Sequence, residues 1–205
     1  MQQLIVIWGG EVFDNNDDYY RFLIEYTVDK DTSKRMSWKD RIIQACSRKM
    51  KCFKPHMPCW LNADYKSWKI WFEKYLAFLD NDWLILVWNS LGSTFLIKYL
   101  SENRVPVVID QLHLACPMFN GKCLNPTYAW IRDFDIDESL LDNITSQVST
   151  IHVYHSEDDT CVPYTHSKRL VWILSSATLH TFTDRDHFLQ PAFPELLNNI
   201  GMYKH

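Results

Sequence analysis

The chain has 205 residues, 47% of them hydrophobic and 22% charged, with a formal net charge of -4. These proportions fit a single folded domain spanning 1–205 and exclude a low-complexity or collagen-like chain. The weak negative charge with scattered Lys and Arg leaves no electrostatic footprint for nucleic acid, and no apolar run is long enough to span a membrane.

The first strand is expected at Leu4–Trp8, with no basic and apolar leader ahead of it, which predicts a cytoplasmic protein. It stops at Gly9-Gly10, a turn that can expose backbone N–H donors. Asp14 to Asp18 is a polar opening for a helix carrying Tyr19, Phe22, Leu23 and Tyr26. Ser37 with Asp40 three residues later reads as a capping box, ahead of Trp38, Ile42, Ile43 and Cys46 on one face. Lys51–Lys54 is a short strand, and Asn62–Asp80 is the clearest helix, with Tyr65, Trp68, Phe72, Tyr75, Leu76 and Leu79 in one stripe.

Leu84–Trp88 is an unbroken apolar run suited to a strand buried on both faces. From Ser93 the apolar residues Phe95, Leu96, Tyr99 and Leu100 recur at helical spacing, so strand passes to helix through Asn89-Ser90-Leu91-Gly92. A serine on such a turn is a candidate nucleophile, held out beside a helix N-terminus. Its alternative is a plain helix N-cap. Val107–Ala115 is the next strand; His113 within it reads as a hydrogen-bonded core histidine. Residues 117–135 have no period and suit a pocket wall or lid. A short helix over Ile136–Ile144, a strand over Val148–Tyr154, a helix over Tyr164–Leu174 and a strand over Thr178–Phe182 follow, and Pro191 opens a final helix.

Strands alternating with helices predict an α/β fold, a three-layer α/β/α sandwich with a mainly parallel sheet. Ser90, the cluster Glu157-Asp158-Asp159 and His187 each follow a strand, so they share one sheet edge. None of the six cysteines (Cys46, Cys52, Cys59, Cys116, Cys123, Cys161) forms a C-x-x-C pair, so a structural zinc site is not expected. A thiol-dependent activity through Cys116 or Cys161 lacks an evident paired histidine in the sequence.

With Ile5-Val-Ile-Trp-Gly-Gly10, Ser90-Leu-Gly92, His155-Ser-Glu-Asp-Asp-Thr-Cys-Val-Pro163, Asp186-His-Phe188 and Phe193-Pro-Glu-Leu196, the chain resembles the α/β-hydrolases along nearly its whole length. Within them it resembles the small serine hydrolases of the YdeN and retinoblastoma-binding protein nine type. The resemblance implies a six-stranded sheet in the order 2-1-3-4-5-6, Ser90 as nucleophile, Asp159 as triad acid with Asp158 as runner-up, and His187 as base. Its strand order sets the Gly9-Gly10 loop beside Ser90, where amides of Leu91 and of Gly10 or Glu11 converge on an oxyanion.

The implied activity is cleavage of a small-molecule ester or amide with no cofactor and no metal, by a monomer or weak homo-oligomer. The sequence departs from the family pattern at Trp88, where glycine is usual, at Asn89, where histidine is usual, and at Ser93, where glycine is often found. Trp88 must therefore point away from the strand–helix crossing or open it, and Asp184 and Asp186 set extra negative charge near His187. The second reading is a hydrolase-fold protein that binds a ligand or partner without turnover.

Overall fold

A computed structural model describes residues 1–13, 15–27, 36–119 and 132–202. Six strands, β1 (Gln3–Ile7), β2 (Lys51–Phe53), β3 (Leu84–Asn89), β4 (Ile109–Ala115), β5 (Val148–Ser156) and β6 (Thr178–Phe182), form one sheet in the order β2-β1-β3-β4-β5-β6. Every neighbouring pair is parallel. The helices are α1 (Asn16–Glu25), α2 (Trp38–Cys46), α3 (Tyr65–Leu76), α4 (Leu91–Glu102), α5 (Asp142–Thr145), α6 (Thr165–Ile173) and α7 (Pro194–Asn199). Among the described residues no helix is long and apolar enough to cross a membrane.

The apolar runs form buried strands because both sheet faces are covered. Ile5, Ile7, Leu84, Leu86 and Trp88 pack with Trp68 and Phe72 of α3, Phe95 of α4 and Leu170 of α6. Leu4, Val6, Ile85 and Val87, from the opposite pleat, pack with Trp38 and Ile42 of α2 and Phe193 and Leu196 of α7. This is the alternation of successive side chains across a sheet, with an apolar layer on each side. His113 is fully buried and hydrogen-bonded, Nδ1 to Tyr154 Oη at 2.9 Å and Nε2 to Gln111 Oε1 at 2.9 Å.

Local signals set the helix ends. Ser37 and Asp40 form the expected capping box at α2. The third helix is shorter than its sequence stripe because Asp64 caps it, accepting from the Ser67 amide, and Ala77 closes it. Pro194, rather than Pro191, occupies the first turn of the last helix. Residues 136–144 divide into a 3-10 turn, Glu138–Leu140, and the single turn α5. Most of the aperiodic stretch 117–135, together with Asp14, residues 28–35 and Cys123, lies outside the described residues. The other five cysteines are free thiols.

Candidate active site

The winding of the sheet reverses between β1 and β3: β2 follows on one side of β1, and the rest of the sheet builds from β3 on the other. Brought out at that switch point, the ends of the two strands are in register, Ile7 opposite Trp88. The Gly9 α-carbon therefore lies against Ser90, and a methyl added there would stand 3.1 Å from Ser90 Cβ.

Ser90 has φ 54° and ψ -132°, a conformation that L residues rarely adopt. Its side chain makes no capping bond, so it is not the N-cap the plain alternative requires. The turn is tied to the next strand instead. The Ser90 amide donates to the Ala115 carbonyl at 2.9 Å, and the Ser93 hydroxyl reaches the carbonyls of Trp88 at 2.9 Å and Ala115 at 3.0 Å. Thr94 Oγ1 donates to the Met118 carbonyl at 2.7 Å. Ser93, where the family pattern often has glycine, thus supplies a strap.

Trp88 neither turns away from α4 nor leaves the crossing open. Its fully buried ring stacks on Phe95 with centroids 5.0 Å apart and meets Phe72 edge-on at 5.5 Å. A methyl on Gly92 would come within 2.9 Å of Trp88 Cε3, so the missing Cβ of Gly92 makes room for the indole. Trp88 Nε1 and Asn89 Oδ1 are buried without hydrogen-bond partners among the described residues.

Behind Ser90, the loop after β5 places Asp159. Its Oδ1 accepts from the amides of Cys161 and Val162, each at 2.8 Å, and its Oδ2 lies 3.3 Å from His155 Nε2. His155 Nε2 also lies 2.8 Å from the Val162 carbonyl, which can only accept, so Nε2 carries the proton and Nδ1 accepts from the Ser167 hydroxyl at 2.6 Å. His187, on the loop after β6, sets Nδ1 2.9 Å from Asp159 Oδ2 and 3.1 Å from Oδ1. Nδ1–H donates to the carboxylate, so in the neutral imidazole Nε2 is the acceptor nitrogen. Asp158 is occupied elsewhere: Oδ1 accepts from the Ser156 hydroxyl and from the Asp186 amide at 3.0 Å, bracing the two loops together.

Of five non-glycine residues with positive φ among the described residues, Ser90, Cys116, Asp186 and Phe188 belong to this edge. Such strain collects where the surrounding structure fixes a side chain for a task.

Burial alone would raise the Asp159 carboxyl, but hydrogen bonds from His155 and His187 outweigh it and hold the group well below the usual carboxylate range. Burial disfavours the charged form of His187; the Cys116 sulfur and the Asp159 carboxylate outweigh that and raise its pKa above the ordinary value. Asp186 and Asp184 are not the source. Asp186 accepts from the Thr160 amide and hydroxyl, both at 2.9 Å, and Asp184 pairs with Arg185.

Sequence reasoning missed the partner of Cys116. This buried thiol, at the end of β4 and thus on the same edge, has Sγ 4.0 Å from His187 Nε2. No motif marks it; only its place at a strand end could have. Cys116, Asp159 and His187 have ligand atoms within 4.8 Å of one another. Asp159 already takes Nδ1, so only Sγ and Nε2 face each other, fewer than the three or four protein ligands of a zinc site. His155, four residues ahead of Asp159, and Lys39 beside the site were also not singled out.

The loop donors divide. The Glu11 amide donates to the Trp60 carbonyl at 2.8 Å, so it is already engaged, whereas the Gly10 amide makes no backbone hydrogen bond among the described residues. Leu91 opens α4, and a first-turn amide has no intrahelical acceptor. The Glu11 carboxyl is raised by burial, with His187 opposing the shift.

No family model and no curated protein matches the sequence. Solved structures do match. The ydeN gene product of Bacillus subtilis is 18% identical at TM-score 0.73, covering 98% of this chain and 97% of that one. A meta-cleavage product hydrolase from Pseudomonas fluorescens is 15% identical at TM-score 0.65, covering 98% and 89%. A serine hydrolase from Cycloclasticus zankles is 14% identical at TM-score 0.63, covering 98% and 89%. The parallel sheet in the order 2-1-3-4-5-6, flanked by helices and aligned with these proteins over almost its full length, has the α/β-hydrolase fold.

Proposed function

We propose that the chain is a serine hydrolase that cleaves a small ester or amide, with Ser90 as nucleophile, His187 as general base and Asp159 as the orienting acid. One observation carries the reading: a strained serine turn and a His187–Asp159 pair, with Nδ1 tied to the carboxylate at 2.9 Å, stand on one sheet edge.

His187 Nε2 takes the Ser90 proton as Oγ attacks the carbonyl carbon. The tetrahedral oxyanion is received by the Leu91 and Gly10 amides, each such donor being worth about 3 to 4 kcal/mol of barrier. The imidazolium, stabilised by Asp159, returns the proton to the departing alkoxide or amine, leaving an acyl-serine. Water deprotonated by His187 then releases the acid and restores Ser90. The Glu11 amide, sequence-assigned as an alternative donor, is left to its bond with Trp60. Neither cofactor nor metal enters these steps, and the free cysteines suit a reducing, cytoplasmic compartment.

Turnover of short para-nitrophenyl esters tests the assignment. Asp159→Asn should lower kcat by roughly three to four orders of magnitude with little change in folding, because the wrong imidazole tautomer then faces Ser90. Equal activity in Asp159→Asn and wild type would remove Asp159 from the mechanism. A second reading, a binding protein without turnover, draws on His187 Nε2 facing Cys116 Sγ. It requires intact ligand binding with no reaction at Ser90.

A further inference from the structure

We propose that Lys39 is the anion-recognising residue of this site, and that the ligand it serves carries a carboxylate received on the α2 flank of Ser90. The proposal names the substrate class for the hydrolase reading given above.

Lys39 is only 8% exposed, yet among the described residues no hydrogen bond or ion pair reaches its ammonium. Its contacts are two indole faces, Nζ lying 4.6 Å from the Trp8 centroid and 5.0 Å from that of Trp38. Three features oppose a cation there. It is buried; it occupies the second residue of α2, where the helix N-terminus is already positive; and Lys54 lies over the same Trp8 ring at 4.8 Å. Among the described residues the one nearby carboxylate, Asp40, is committed to Ser37 and to an ion pair with Lys54. Burial accordingly pushes the ammonium down to about 8, against the attraction of Cys116 and Asp40. Two cation–π contacts compensate such a position only in part, whereas a carboxylate would satisfy it through a charge-assisted bond.

The place is next to the proposed chemistry. Trp8, beneath Nζ, precedes Gly9, whose α-carbon lies against Ser90. Cys116, whose sulfur attracts the Lys39 ammonium, lies 4.0 Å from His187 Nε2. Glu11 is not the missing counter-ion. Its loop is anchored on the other flank, to Trp60 and Ala63, and its charge is felt by His187. Glu11 would repel an anion from that flank, which leaves the α2 side for the carboxylate.

Calorimetric titration with benzoate and with uncharged benzamide tests the site without turnover. Wild type should bind benzoate at least about tenfold more tightly. Lys39→Met should erase the preference, and Lys39→Arg should keep part of it. Lys39→Gln replaces Lys39→Met if the latter fails to fold. For turnover, two ester pairs place the charge on opposite sides of the scissile bond. They are the para-nitrophenyl half-ester of adipic acid beside para-nitrophenyl hexanoate, and para-hexanoyloxybenzoate beside phenyl hexanoate. One charged member should be preferred in kcat/KM, and the preference should vanish in Lys39→Met. Equal affinity of wild type for benzoate and benzamide, no binding of benzoate, or a preference that survives Lys39→Met overturns the proposal and leaves Lys39 as the companion of Cys116. Fluorophosphonate reaction at Ser90 is scored separately. Lys39-dependent benzoate binding without it keeps the anion site and rejects the hydrolase reading, and the reverse pattern rejects only the anion site.

Discussion

Gly92→Ala probes the turn after β3, where this sequence departs from the α/β-hydrolase pattern that it resembles. The new methyl would stand 2.9 Å from Trp88 Cε3 and 3.0 Å from the Trp8 carbonyl oxygen, about half an ångström or more inside ordinary carbon contact. Neither neighbour yields easily, because the Trp88 ring is fully buried between Phe95 and Phe72, and Trp8 follows a strand paired on both sides. Overpacking of this kind costs about 1 to 3 kcal/mol, and the helix preference of Ala over Gly returns at most about 1 kcal/mol. The net loss should be about 1 to 2 kcal/mol, which for a chain of this size lowers Tm by roughly 2 to 8 °C. Calorimetry of the wild type, Gly92→Ala, Trp88→Leu and the double variant checks this. In the Trp88→Leu background the alanine should cost about 1 kcal/mol less, a coupling that arises only if ring and methyl compete for one space. A Gly92→Ala protein as stable as wild type, or additive effects in the double variant, would refute the packing argument.

Three further outcomes are expected. Ser90→Gly should raise stability by about 1 kcal/mol or more in urea unfolding, because glycine accepts φ 54° without strain; a less stable variant would show that the turn is not strained. Burial holds His113, His152, His166 and His180 below their ordinary pKa of 6.5, His152 at about 4. Being neutral in the fold and protonated when unfolded, they contribute stability that is present above 6.5 and is lost as pH falls toward about 4. His187, raised, contributes stability that is present below 6.5 and is lost as pH rises above it, a slope of opposite sign that fades below about pH 6. Urea midpoints should therefore fall from about pH 6 to about pH 5, and less steeply in His152→Gln; a flat profile would contradict the burial of these rings. Finally, Cys116→Ala removes one of the two groups that raise His187, so the acid limb of the kcat/KM profile should move to lower pH. An unmoved limb would mean that the sulfur does not act on the base.

Much of this architecture is legible in the residues because periodicity reports burial. Leu84–Trp88 is apolar throughout, since both sheet faces are covered, and the capping box at Ser37 announces α2 at its first residue. Ser90, the Asp158-Asp159 pair and His187 stand out as candidates because each comes shortly after a strand, and parallel strands deliver their carboxyl ends to one edge. What spacing does not encode is which side chains meet across that edge. The approach of Cys116 to His187 joins residues 71 positions apart, and the unpaired ammonium of Lys39 depends on Asp40 choosing Lys54 instead. The place of Trp88 is hidden for a related reason: glycine is expected at its own position, but the relief comes four residues later, from Gly92 beneath its ring.

The most direct test of the account is reaction of the purified chain with a fluorophosphonate, read by intact mass beside Ser90→Ala and His187→Ala. A working nucleophile predicts one adduct on the wild type, none on Ser90→Ala and a strongly slowed reaction on His187→Ala. A folded wild type that takes no adduct, or an adduct that persists in Ser90→Ala, would contradict the assignment of Ser90.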